Sequence, residues 1–324
     1  MIFRYTVERI FQSLLVLLVL SFSVYGLIGL MPGDPIDLMI QGDPNLTAAD
    51  AERLKAIHGL DQPLFERYAA WLGNAVQGDF GYSRNHSQPA IDVIGDRIVN
   101  TSVLLGLSLI LSLAIAIPVG IYAALRPYSK TDYAVNLACF AGISVPPFWL
   151  ALLLIILFAI VLGWLPAGGM ATIGDGSIID RLHHLILPVI TLTVASVGDF
   201  TRFMRASMLQ TLRQDFIRTA QAKGLSMTQV VVGHALRNAM LPLVTIVALS
   251  FGRLFSGALI TETMFAWQGM GKMIYDAILG NDYNLALIGL MFATALTLIG
   301  NFLADIGYVW LDPRVSLTDR ERSQ

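Results

Sequence analysis

The stretch TSVLLGLSLILSLAIAIPVGIYAAL, Thr101–Leu125, carries no charged side chain. A hydrocarbon core about 30 Å thick is crossed by about 20 residues of α-helix, so this run can span a membrane by itself. Working outward, Ile10–Leu30 is equally free of charge, and Tyr133–Trp164, Leu185–Phe200, Leu241–Thr261 and Leu285–Leu311 complete a set of six predicted spans. The third is long enough to be tilted or broken, and Pro146-Pro147 marks the expected break. Pro188 is expected to interrupt the fourth, which is short. Either feature shapes a pathway or is a plain kink.

Composition supports the same class. Of 324 residues, 55% are hydrophobic and 14% charged, against about 25% charged in a soluble domain. Mean hydropathy is +0.66. The near balance of 21 Lys and Arg with 23 Asp and Glu argues against a nucleic-acid binder, which needs a basic face. One cysteine, Cys139, excludes an intramolecular disulfide and a multi-cysteine metal centre. The expected protein is all-α and polytopic, with the lipid bilayer as its solvent.

Charge sets the predicted orientation. With the N-terminus inside, Arg4, Arg9, Arg126, Lys130, Arg202, Arg205, Arg213, Arg218, Lys223, Arg237, Arg314, Arg320 and Arg322 all face the cytoplasm. Both termini are therefore expected there. A secretory signal has an apolar region of about 7–15 residues and a small-residue cleavage site, so the longer run after Arg4 and Arg9 reads as an uncleaved first helix. The resulting division is 1–30 for the N-terminus and first span, 31–100 for a small helical segment outside, 101–311 for a five-helix core with a cytoplasmic loop at 202–240, and 312–324 for a cytoplasmic tail.

The outer segment has its own helix signals. Thr47 and Asp50 form a T-x-x-D capping pattern, and Gly59 stands where a left-handed residue would end that helix. Pro63 then suits a first helical position, and Leu64, Phe65, Tyr68, Trp71, Leu72, Ala75 and Val76 recur at helical spacing up to Gly78.

The cytoplasmic loop is the most informative segment. A helix-compatible run from Arg213 to Lys223 stops at Gly224, and Ser226 with Gln229 makes an S-x-x-Q capping box for another. The apolar Phe216, Ile217, Ala220 and Leu225 stand beside Arg218 and Lys223. So short a helix is unstable alone and needs a surface, either a protein or the bilayer.

Here the residues carry a resemblance. Arg218-Thr219-Ala220-Gln221-Ala222-Lys223-Gly224-Leu225 followed by His234-Ala235-Leu236-Arg237-Asn238-Ala239-Met240-Leu241-Pro242 resembles the cytoplasmic loop of ABC-importer permeases, in particular the dipeptide/oligopeptide/nickel branch. The wider family has Glu-Ala-Ala where Arg218-Thr219-Ala220 stand and Leu-Pro where Leu236-Arg237 stand, a departure common in the peptide branch. Further matching stretches are Pro32-Gly33-Asp34-Pro35, Gly59-Leu60-Asp61-Gln62-Pro63-Leu64, Gly78-Asp79-Phe80-Gly81-Tyr82-Ser83, Ser144-Val145-Pro146-Pro147-Phe148-Trp149, Leu165-Pro166-Ala167-Gly168-Gly169, Glu262-Thr263-Met264-Phe265 with Trp267, Gly269-Met270-Gly271, and Asp312-Pro313-Arg314.

The resemblance implies a type I importer fold in the bacterial inner membrane and a cargo of di- or oligopeptides. Nickel chelates, opines and oligosaccharides use similar permeases. It implies a second homologous permease, two cytoplasmic ATPase subunits or domains that hold ATP and Mg, and a periplasmic substrate-binding protein. Phe216, Arg218, Thr219, Ala220, Ala222, Lys223, Gly224, Leu225 and His234 become the expected ATPase-coupling residues. Glu262, Phe265, Trp267, Gly269 and Gly271 become candidates for a binding-protein or gating loop, with Phe265 and Trp267 alternatively membrane-interface anchors.

The chain lacks a nucleotide site of its own. No G-x-x-x-x-G-K-[ST] occurs; the nearest string, ending Gly271-Lys272-Met273, has Ala266 for the first glycine and Met273 for the hydroxyl. No cofactor and no enzymatic activity are expected. Two other classes remain open at this stage. An embedded hydrolase would rest on His183-His184 with Asp175 and Asp180, but adjacent histidines point to different sides of a helix and no G-x-S-x-G elbow appears. A passive channel would need charge rings or a carbonyl filter, and neither is visible. Among intramembrane ionisable residues, Asp199 and Asp305 lie near helix ends. Arg253 sits about 18 Å along its helix, placing it in the pathway against an anionic cargo group or in an ion pair with a partner subunit.

Overall fold

The computed structural model describes the backbone of residues 2–29 and 62–311, and the side chains of 6–27, 62–247 and 258–302. The expectations at Thr47, Asp50 and Gly59 lie outside the described residues. The chain divides into two compact units, Met1–Ile98 with Met273–Leu296, and Val99–Lys272 with Thr297–Gln324.

In the first unit, α1 (Ile2–Gly29) holds the first charge-free run, and α2 (Leu64–Val76) packs on it through one aromatic face. Phe22 stacks on Phe65 and meets the edge of Tyr68, each at 5.2 Å between ring centres. The Tyr68 hydroxyl bonds Ser21 at 2.8 Å, giving the buried phenol its polar partner. Pro63 caps α2 from the preceding position instead of occupying its first turn. Gly78, at φ +91°, turns the chain out of that helix as expected.

A two-stranded hairpin follows, β1 (Tyr82–Ser83) against β2 (Gln88–Pro89). Buried Asp282 fixes it from the far end of the sequence. Its Oδ2 accepts from the Ser83 hydroxyl at 2.6 Å and the Asn85 amide at 3.0 Å. Two positions of the Gly78–Ser83 motif are thereby accounted for: Ser83 bonds Asp282, and Gly81 takes a left-handed backbone at φ +85°.

The second unit contains most of the membrane-length helices. Helix α3 (Ala90–Leu125) enters it from Val99 onward and carries the decisive apolar run. Helix α4 (Lys130–Ser144) stops where predicted. After Pro146, α5 (Pro147–Leu154) and a π-helical turn (Ile155–Val161) restart at 96° to it, because proline disfavours helical geometry in the residue before it and lacks an amide donor itself.

Pro188 behaves otherwise. It lies within α6 (Ile178–Leu212), a continuous helix longer than the predicted fourth span at both ends. Neighbouring helices bury the turn around it, which the sequence does not reveal.

Helices α4 and α6 meet along small residues. A Cβ at Gly198 would sit 2.8 Å from the Cys139 carbonyl oxygen, so glycine is required for that approach. Arg202 covers the Phe140 ring at 4.4 Å. After α6 come α7 (Asp215–Ala222), α8 (Met227–Val230), a second π-helical turn (Val231–Ala235) and α9 (Leu236–Met264). Then α10 (Met270–Leu279) leads to α11 (Tyr283–Leu311). The segment 202–240, read from sequence as a cytoplasmic loop with a helix, a glycine corner and a second helix, also takes in the ends of two longer helices: 202–212 is the end of α6 and 236–240 begins α9. By length and composition five described helices can cross a membrane, or six if the bent α4/α5 pair is one span.

Candidate functional site

Helix α7 is fastened to the bundle by one face. Ile217 and Ala220, 1% and 5% exposed, enter a core made by Phe200, Met204 and Met208 of α6, Ala116 and Ala124 of α3, and Val230, Val231, Ala235, Ala239 and Leu243. The partly buried Leu225 packs against the same core. Burying a side chain the size of Ile217 contributes about 2 kcal/mol, enough to hold a two-turn helix that has little stability alone. The surface α7 needed is its own bundle.

The corner after α7 is fixed by backbone chemistry. Gly224 has φ +82°, its amide bonds Gln221 O at 2.9 Å, and the Leu225 amide reaches Ala220 O at 3.4 Å. This is a Schellman ending, which favours a residue without Cβ. The predicted capping box is present: Gln229 N donates to Ser226 Oγ at 3.4 Å, and Ser226 N donates to Gln229 Oε1 at 2.9 Å.

Of the expected coupling residues, Phe216, Arg218, Thr219, Ala222, Lys223, Gly224 and His234 are exposed, whereas Ala220 is buried and Leu225 half-buried. The set therefore separates into fasteners and presented groups. Sequence reasoning did not include Ile217 in that set, although it is the more deeply buried fastener; its i, i+3 spacing from Ala220 was the available signal. Arg218 lies 3.5 Å from Asp215 on the surface, a pair of little energetic weight. His234 sits in the π-helical turn. Such turns are frequent at functional positions.

At the opposite end of α9, about 40 Å away along its axis, lies a second constellation. Glu262, 0% exposed, accepts the Thr101 hydroxyl at 2.5 Å and the Lys272 amide at 3.0 Å. The Thr101 hydroxyl oxygen in turn accepts the Met270 amide at 2.8 Å. A Cβ at Gly269 would lie 2.1 Å from the Glu262 carboxylate, and one at Gly271 would lie 2.7 Å from Leu259 Cα. Those glycines are thus room for a buried carboxylate. Phe265 and Trp267 are buried too, so neither serves as a membrane-interface anchor. Trp267 Nε1 donates to Asn100 O at 3.1 Å.

The Leu165–Gly169 motif meets this corner. Gly169 N donates to Phe265 O at 2.7 Å, and a Cβ at Gly168 would come within 2.5 Å of that oxygen. Two separate sequence motifs are therefore halves of one contact. Thr101 and Asn100 were missed by sequence reasoning, because nothing local marks an α3 hydroxyl as the partner of an acid 161 positions later.

Arg253 lies on α9, with its side chain outside the described residues. His184 Nδ1 lies 2.9 Å from the Asp180 carbonyl, while Asp180 Oδ1 accepts from the Thr172 hydroxyl at 2.7 Å. Those residues close the turn preceding α6. Among the described residues no group of three or more His, Cys, Asp or Glu side chains is placed to hold a metal ion.

A bundle of membrane-length helices with a fastened helix at one end of α9 and a locked corner at the other defines a multi-pass membrane subunit. Residues 116–317 match the family described as binding-protein-dependent transport system inner membrane component, and residues 2–105 match the N-terminal part of such membrane components. The chain belongs to this family.

It is 40% identical over 313 residues to the oligopeptide transport system permease protein AppB of Bacillus subtilis (strain 168), covering 96% of this chain and 98% of that protein. It is 36% identical to the di/tripeptide transport system permease protein DppB of Pseudomonas aeruginosa (strain UCBPP-PA14), covering 90% and 92%. The glutathione transport system permease protein GsiC of Escherichia coli (strain K12) is 34% identical, covering 96% and 98%. Among solved structures, the MetNI methionine ABC transporter in inward-facing conformations aligns at TM-score 0.52 with 18% identity, over 65% of this chain and 93% of that one. That likeness shows the shared fold.

The chain is thus a permease subunit of an ABC importer, a transport component of the inner membrane and not an enzyme. The embedded-hydrolase and passive-channel readings are set aside.

Proposed function

We propose that this chain forms half of the translocation pathway for di- and oligopeptides, paired with a second homologous permease. Two partner ATPase subunits or domains hold ATP and Mg, and a periplasmic binding protein delivers the cargo. The chain crosses the membrane six times, with the bent α4/α5 pair as one crossing, both termini cytoplasmic, 31–100 outside and 312–324 forming a cytoplasmic tail. Within the core, 101–311, the segment 202–240 faces the ATPase.

The observation that carries this reading is the division of α7 into a buried side, Ile217 and Ala220, and a presented side, Phe216, Arg218, Thr219, Ala222 and Lys223. A helix seated on its own bundle and offering an apolar ring among basic groups can transmit a push. When the two ATPases close on ATP, the paired α7 helices approach each other and the bundle tips from inward-open to outward-open. ATP shifts that equilibrium only through its different affinity for the two states. The peptide cargo is supported by the names of the three relatives above, all peptide carriers. Arg253, part-way along α9, contacts an anionic group of the cargo. The corner Glu262–Gly271 faces the binding protein.

The test is mild-detergent purification of the chain from its native membrane, with mass spectrometry of the co-eluting proteins and an ATPase assay. Recovery of a second permease and ATP-hydrolysing subunits stimulated by a binding protein supports the reading, and a chain that elutes without nucleotide-binding partners refutes it. Dipeptides, nickel chelates, opines and oligosaccharides offered to that binding protein then decide the cargo.

A further inference from the structure

The corner after α9 contains a conformational outlier. Ala266 has φ +49°, a left-handed backbone rarely adopted by residues other than glycine, and it is exposed between the buried Phe265 and Trp267. Strain of this kind persists only where the surroundings over-determine it, and it concentrates where geometry matters to function. Here the surroundings are explicit. Trp267 N donates to Glu262 O at 2.8 Å, Trp267 Nε1 to Asn100 O at 3.1 Å, and Asn100 Nδ2 to Gln268 O at 2.8 Å. Beneath them the Glu262 carboxylate joins Thr101 of α3 to the Lys272 amide, with Gly269 packed directly against it.

A carboxylate at 0% exposure is costly to bury, and an aliphatic side chain would fill the space without that cost. What the carboxylate adds is direction. Its two oxygens bind partners on two different segments, so the spacing between α3, the end of α9 and the start of α10 is set by hydrogen-bond length and not by adaptable apolar packing. Only Ala266 and Gln268 of the corner are exposed, and the strut beneath fixes how they are presented. A surface ordered before binding spends less of its contact energy on immobilising itself, and so binds at lower partner concentration.

We propose that Glu262 is a positioning residue for binding-protein docking: bonded to Thr101, it holds the Phe265–Gln268 corner in one preset geometry. The inference rests on the reading of this corner as the docking face. The reconstituted transporter in lipid nanodiscs, assayed for ATPase activity against binding-protein concentration, separates the two. Cys139 is the sole cysteine of this chain and is buried, so the effect of a bulky maleimide on Ala266→Cys, taken relative to the equally treated parent transporter to subtract any labelling of partner subunits, reports the corner. If that label leaves the half-saturating concentration unchanged, the docking face is refuted.

If the label raises it, the strut is tested by Glu262→Gln and Thr101→Val. Each is expected to raise half-saturation about tenfold while the maximal rate stays within about twofold, with Thr101→Ser restoring it and the double variant no worse than either single one. A loss of maximal rate at unchanged half-saturation overturns the positioning role. Should those variants fail to assemble, Ala266→Gly relieves the left-handed strain and loosens the corner without removing a side-chain bond. It is expected to raise half-saturation in the same direction, and a wild-type value there refutes the proposal.

Discussion

Arg205 grips Asp132 with two donors at once: Nε meets Oδ1 and Nη2 meets Oδ2, both at 2.5 Å, while the Tyr128 amide and Asn136 complete the carboxylate. The pair ties the first turn of α4 to α6 less than two turns before α6 ends, close in sequence to where α7 begins. A lysine offers one point charge and cannot reproduce the fork. Arg205→Lys is expected to lower stability by about 1–2 kcal/mol, and Asp132→Ala, which strands the guanidinium, by about 3 kcal/mol. Thermal unfolding of the purified variants in detergent measures both, and equal melting for Arg205→Lys and the parent would remove the clamp.

Gly224 tests the corner after α7 cleanly, because a Cβ there would meet nothing within 4 Å and only the left-handed backbone resists substitution. Gly224→Val is expected to cost about 1–2 kcal/mol of local stability and to depress transport-linked ATPase activity. Gly224→Asn, which tolerates that conformation, should retain most of it. Full activity in the valine variant contradicts a fixed orientation of α7.

The two faces of α7 should separate in assay. Ile217→Ala empties a fully packed position and is expected to destabilise the chain by about 2–4 kcal/mol. Phe216→Ala, on the presented face, should leave the melting temperature near that of the parent while weakening association with the ATPase. Co-purification yield together with thermal stability reads both effects, and the reverse pattern would mean that the faces are assigned wrongly.

Gly168 packs without room against the Phe265 carbonyl, so Gly168→Ala forces a backbone shift through a Cβ that would stand 2.5 Å away. We expect a destabilisation of about 1–3 kcal/mol from overpacking. Gly176→Ala, with open space around its Cβ, should fall within about 0.5 kcal/mol and serves as the control.

Arg253→Gln addresses the pathway. If Arg253 contacts cargo, uptake of peptides with a free carboxylate should fall by about tenfold or more relative to amidated ones. Unchanged preference and affinity would remove the contact.

Much of this was legible in the amino-acid order because the signals are local. A charge-free Thr101–Leu125 is a span wherever it occurs, since the bilayer imposes length and apolarity on each helix separately. Gly224 and the Ser226/Gln229 capping box were equally readable, because a left-handed ending and a first-turn cap involve residues a few positions apart. The break at Pro146-Pro147 follows from proline's own geometry.

Only the tertiary structure decided which side of α7 is fastened, whether Pro188 breaks α6, and what Glu262 does. Each depends on what stands opposite: the core beneath Ile217, the helices around Pro188, and Thr101 beside Glu262. Local sequence specifies elements and their ends through short-range sterics and solvation. The partner of a buried carboxylate is chosen by packing across the chain, where distance in sequence carries no information.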